Sequence, residues 1–118
     1  NIIGEQEYDF GGNAHGPDVS FVKASKVHLF DCDRRVQPLV PDLAIEIVSK
    51  SDGYNSLSKK ARRYCDCGTQ EAWIFSIDMR HAVRYSGKQA VIFDETAEFA
   101  SDLISGFSIR LAELFDRI

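Results

Sequence analysis

Pro41-Asp42-Leu43-Ala44-Ile45-Glu46-Ile47-Val48 is the stretch on which the reading of this chain turns. Apart from Glu46, residues 43–48 are continuously apolar, the mark of a β-strand buried on both faces. Pro41 lacks an N–H to give to a ladder and suits the strand's entrance. An unpaired carboxylate inside such a strand costs several kcal/mol, against a domain stability of only ~5–15 kcal/mol. Glu46 therefore needs compensation by a metal, a lysine or a proton. The plainer alternative is a structural ion pair, or a strand edge that reaches water. Asp42 shares a face with Glu46, but four strand residues span ~13 Å, too far for both to touch one ion.

Working outward, Pro17 opens a second strand over Asp18–Val22, with Asp18 at its mouth. If this strand pairs with the Glu46 strand, the two carboxylates become neighbours, and a hard divalent ion such as Mg²⁺ asks for one or two carboxylates plus water and phosphate oxygens. Beyond Glu46, residues 49–54 form a polar turn and Ser56–Cys67 a helix, capped by Asn55 or Ser56 and stopped by Gly68. Leu57, Ala61, Tyr64 and Cys65 make its apolar stripe. Lys60 lies on the flank of that stripe and can reach inward, while Lys59 points to solvent. A flanking lysine also fits a snorkelling surface residue. Ala72–Phe75, Ala82–Tyr85 and Gln89–Phe93 read as strands, the last two joined by a hairpin through Ser86-Gly87-Lys88, and Arg110–Arg117 as a closing helix. Asn1–Gly16 reads as an irregular lead-in. Lys23–Val40 reads as a loop with one helical turn near Val27–Phe30. The class is mixed α/β in a single domain spanning 1–118.

With 118 residues, 44% hydrophobic and 27% charged, the chain has the composition of one globular domain. No run approaches the ~20 apolar residues of a membrane span, and no secretory signal heads the sequence, so no membrane and a cytoplasmic location are expected. The net charge of −4 is unusual for a nucleic-acid binder. Lys59-Lys60-Ala61-Arg62-Arg63 is the only dense basic patch. Three cysteines at no framework spacing suggest reduced thiols, and Cys65-Asp66-Cys67 is too tight for two ligands of an ordinary zinc site. His15, near Asp18, reads as a loop residue. Trp73, Phe75 and Tyr85 read as core.

The order of four motifs carries a resemblance. Pro17-Asp18-Val-Ser-Phe-Val, Pro41-Asp42-Leu-Ala-Ile-Glu46-Ile-Val-Ser49, Lys60-x₃-Tyr64-x₃-Gly68 followed by Trp73, and the closing Gly106–Phe115 segment together are similar to the Uma-two family of putative restriction endonucleases. The resemblance implies a restriction-endonuclease-like core of the PD-(D/E)xK type, a central mixed β-sheet flanked by helices. It also implies Mg²⁺- or Mn²⁺-dependent hydrolysis of DNA phosphodiester bonds. Asp18 matches the family's first metal-binding aspartate and Glu46 its second acid. Val48 stands where the superfamily's lysine would be, and Lys60 matches the lysine supplied from the helix. Asp42, Ser49 and Tyr64 match supporting positions. Members of the family usually carry a longer N-terminal part with a helix that packs on the sheet; this chain, a fragment or a product that dispenses with that helix, is expected to lack it. One sheet face is therefore expected to lie bare and to be covered in a homodimer. Two rival readings stand beside the enzyme: an inactive nuclease-derived module that binds nucleic acid or protein, and a toxin-like or mobile-element accessory protein.

Overall fold

The computed structural model describes residues 2–50 and 53–118. Asn1 and part of the turn expected over residues 49–54 lie outside them. Among the described residues, eleven strands form a six-stranded sheet and two smaller ones, accompanied by two α-helices. In chain order the elements that frame the site are β1 (Ile2–Gly4), β2 (Glu7–Phe10), β3 (Asn13–His15), β4 (Val19–Phe21), β5 (Val36–Gln37), β6 (Leu43–Val48), α1 (Tyr54–Asp66) and β7 (Glu71–Ser76). They are followed by β8 (His81–Ser86), β9 (Gln89–Phe93), β10 (Glu98–Ala100), β11 (Ser108–Arg110) and α2 (Leu111–Asp116).

The large sheet runs β1-β4-β6-β7-β8-β9. It is mixed: β6 pairs antiparallel with β4 and parallel with β7, and the remaining pairs are antiparallel. A parallel pair needs a crossover, and α1 supplies it between β6 and β7. The helix begins after Gly53 with no side-chain cap, so neither Asn55 nor Ser56 caps it; both lie inside the first turn. It ends where Gly68 takes a φ of +113°, a value that favours glycine, while the Thr69 N–H reaches back to the Tyr64 carbonyl.

Period-2 alternation divides the core between the two faces of the sheet. Ala44 and Val48 of β6 join Tyr64 and Ala61 of α1 and Tyr8 and Phe10 of β2 on one face. The small β3-β2-β5 sheet closes that face beside α1. Leu43, Trp73, Phe75 and Phe99 meet Leu111 and Phe115 of α2 on the other, each large side chain contributing about 1.5–3 kcal/mol by burial. The expected mixed α/β architecture with a central mixed sheet is the one found.

The lead-in is the principal correction. Residues 1–16 were expected to be irregular, yet they hold β1, β2 and β3. In Glu7-Tyr8-Asp9-Phe10 the two aromatics are buried, with Asp9 exposed between them. The strand is too short to stand out against the flanking glycines, and its stability comes from tertiary packing. The helical turn in the long loop is a 3₁₀ segment over Ala24–Leu29, which starts three residues before the expected turn and ends one residue before it. The second sheet face is covered in part by β10, β11 and α2; beside them an apolar hollow of about 330 Å³ remains, lined by Val19, Phe21, Leu43, Ile45, Trp73 and Phe107 among others.

Candidate active site

Asp18 precedes β4, and the antiparallel register Val19↔Ile45, carried one residue further, sets it opposite Glu46. Its side chain is fixed from the neighbouring strand: the Ile47 N–H donates to Asp18 Oδ2 at 2.7 Å. Asp18 is exposed, whereas Glu46 is only 5% exposed and points to the α1 face between Ala44 and Val48.

Two α1 residues one turn apart converge on that carboxylate. The Tyr64 hydroxyl, fully buried, donates to Glu46 Oε2 at 2.7 Å, and Lys60 Nζ lies 3.6 Å from the same oxygen. The helix places residues i and i+4 on one face, so a single orientation of α1 delivers both groups. Burial pushes the Glu46 carboxyl above its ordinary value; Tyr64 and Lys60 pull it down, the Asp18 charge pushes it up, and the Asp18 backbone N–H pulls it down. The Tyr64 hydroxyl is also pushed up, first by burial and then by its bond to Glu46. It stays protonated and serves as a donor.

The four residues Asp18, Glu46, Lys60 and Tyr64 thus gather at one end of β6. Two supporting residues do not join them. Asp42, 5% exposed, sits at the opposite end of β6, where its Oδ2 accepts the Lys23 N–H at 2.7 Å and its Oδ1 lies 3.5 Å from Lys26 Nζ. Its carbonyl accepts the N–H groups of Gln70 and Glu71. Asp42 is a clamp between the long loop and the start of β7. Ser49 is exposed just past β6. Val48 is 6% exposed in the α1-face core, with no room there for a lysine's charge.

His15, expected in a loop, lies instead on β3 beside the site. Its ring lies 6.0 Å from Tyr64 and 6.2 Å from Phe10, centroid to centroid. Burial lowers its pKa, helped by the positive charges of Lys60 and Arg63. Its approach depends on β2–β3 folding over α1, and no local pattern signals that.

The donor set suits a hard divalent cation: two carboxylates from adjacent strands, with Asp18 Oδ1 free of hydrogen bonds among the described residues and the Asp18 charge pushing the Glu46 carboxyl up. Among the described residues, the one group of three metal-capable side chains within 4.8 Å lies elsewhere, at Asp31-Cys32-Asp33. That exposed cluster is held by its own turn, the Asp33 N–H donating to Asp31 Oδ1 at 3.0 Å. Cys32, Cys65 and Cys67 are free thiols.

The Uma2 family model, described as "Putative restriction endonuclease", matches residues 2–112. Among solved structures, the crystal structure of a putative nuclease belonging to DUF820 from Anabaena variabilis is similar in fold, with a TM-score of 0.85 and 22% identity. The match covers 98% of this chain and 68% of that one. No curated protein matches the chain.

Proposed function

The chain belongs to the Uma2 family, and from that premise we propose that it is a metal-dependent endonuclease that hydrolyses DNA phosphodiester bonds. The observation that carries this reading is the buried Glu46 carboxylate, set opposite Asp18 with Lys60 Nζ 3.6 Å away. Purely structural burial of an acid calls for donors and cations, whereas a second acid beside it only adds to the cost.

Asp18 and Glu46 are the residues to hold Mg²⁺ or Mn²⁺. Such an ion supplies Lewis-acid polarisation of the phosphate and lowers the pKa of a bound water. Lys60 orients the attacking water or stabilises the extra negative charge on the phosphorus-bound oxygens as the P–O bond to the leaving group breaks. Tyr64 fixes the Glu46 rotamer and the Ile47 N–H fixes Asp18, so neither ligand has to be ordered when the ion arrives. A cytoplasmic location suits a DNA substrate, and no described helix is long and apolar enough to cross a membrane. A homodimer joined through the apolar hollow on the second sheet face belongs to the same reading; sedimentation velocity tests it, and a monomer at micromolar concentration contradicts it.

The enzyme reading is tested with supercoiled plasmid and Mn²⁺. The wild-type chain nicks it, and Glu46→Gln loses about 10²-fold or more of the rate with an unchanged circular-dichroism spectrum. Equal nicking by both proteins overturns the reading. DNA binding without nicking or metal uptake supports the inactive binding module instead.

A further inference from the structure

We propose that the cleft between β3 and α1, lined by Asn13, His15, Ser56, Lys59, Lys60 and Arg63, seats a backbone phosphate of the nucleic-acid strand next to the phosphate held at Glu46. The inference rests on the nuclease reading and adds to it the surface that holds the substrate strand.

The chain's net charge of −4 and its exposed Asp18 both repel a polyanion. Attraction must therefore be local, and this cleft of about 320 Å³ is lined by three cations and no carboxylate. Among the described residues, Lys59 and Arg63 form no ion pair, in contrast to Lys26, Arg35 and Arg80. They stand one helical turn apart on α1, where like charges repel and weaken the helix. A phosphate between them reverses that penalty.

Neutral donors complete the lining. Asn13 and Ser56 are exposed at the rim and can give an amide N–H and a hydroxyl to a phosphate oxygen. His15 is half-buried against Tyr64. With its pKa lowered it is neutral at pH 7, and offers an N–H without adding a fourth charge.

The position ties the cleft to the reacting centre. Lys60 lines it and also reaches Glu46 Oε2 at 3.6 Å, so one side chain forms the wall between the two. A strand lying across Lys60 has one phosphate at Asp18 and Glu46 and its neighbour over Lys59 and Arg63. Phosphate contacts of this kind set register without reading sequence.

The test is fluorescence anisotropy of a labelled oligonucleotide, single-stranded and duplex, in a chelating buffer over a salt series. Lys59→Gln/Arg63→Gln is expected to bind about tenfold more weakly near ~0.1 M salt, with the slope of log K against log salt shallower by about 1–2. Lys59→Arg/Arg63→Lys keeps the charges and restores both values, which separates lost charge from damaged folding. Unchanged affinity and slope in the Gln pair overturn the cleft. So does inorganic phosphate or polyglutamate displacing the wild-type chain from the oligonucleotide at equal charge concentration, since the cleft would then serve a free anion or an acidic peptide. Glu46→Gln keeps the two proposals apart: in chelator it should bind the oligonucleotide at least as tightly as wild type, while with Mn²⁺ it fails to cut plasmid. Cutting by Glu46→Gln sinks the nuclease reading alone, and wild-type binding by the Gln pair sinks the cleft alone.

Discussion

Two buried glutamates stand on neighbouring strands and opposite faces of the same sheet, and they are buried for different ends. Glu71, 3% exposed at the start of β7, accepts the Trp73 indole N–H at 2.9 Å and the Ser101 hydroxyl at 2.8 Å on one oxygen. Its other oxygen accepts the Leu103 N–H at 3.0 Å. Every donor is neutral and fixed, and together they pin the loop after β10 to the sheet. Glu46, 5% exposed, has one neutral donor from a side chain, a lysine whose own side chain is 30% exposed, and a second acid opposite. Depth of burial does not separate them; the neighbours do. A carboxylate satisfied by three neutral donors is a structural knot, while one held beside another acid is where the proposed function puts its cation.

That contrast is broken or sharpened by substitution, beginning with the largest effect. Lys60→Ala should lower the nicking rate about 10²–10³-fold, as loss of a preorganised charge stabiliser does, and should also lower thermal stability in chelator at neutral pH, because it leaves the buried Glu46 without its cation. Glu71→Gln should instead leave the metal site intact and destabilise the fold by about 2–3 kcal/mol, because one acceptor becomes a donor facing donors. Denaturant unfolding measures it, and a stability equal to wild type contradicts the knot.

Glu46→Gln should act in the opposite sense on stability. The folded-state pKa of Glu46 lies above the ordinary value of 4.5, first through burial. Its stabilising contribution is therefore present below pH ~4.5 and lost as pH rises through the folded value, where the buried charge must be carried. In chelator, Glu46→Gln should gain on wild type as pH rises from 4.5, and thermal melts across that range check the sign. The smallest effect belongs to Tyr64→Phe, which removes one hydrogen bond worth about 1 kcal/mol. It takes away the strongest influence holding the Glu46 pKa down, so metal uptake should need a higher pH.

Much of this arrangement was legible in the sequence because it depends on local pattern. The apolar run over Leu43–Val48 marks β6 with its observed ends, and Glu46 interrupts it visibly. Lys60 and Tyr64 sit four apart on an amphipathic helix, so placing one near the sheet places the other. The register that sets Asp18 opposite Glu46 was conditional on strand pairing, which one sequence does not determine. What stayed hidden rests on long-range contacts. β1, β2 and β3 are three or four residues each, and their glycine-rich joints mask the Tyr8–Phe10 alternation. His15 comes to Tyr64 only through that small sheet. Glu71 carries a readable signal, an acid heading the apolar Ala72–Phe75 run, but its partners Ser101 and Leu103 lie thirty residues downstream. Asp42 and Glu46 look alike in sequence, yet one end of β6 clamps loops and the other gathers the site.

Calorimetric titration of Mn²⁺ near neutral pH tests the central claim most directly. The wild-type chain should take up one ion, with binding abolished in both Asp18→Asn and Glu46→Gln and proton release growing as pH is lowered toward the Glu46 titration. Equal uptake by Glu46→Gln and wild type, or none by the wild type, contradicts it.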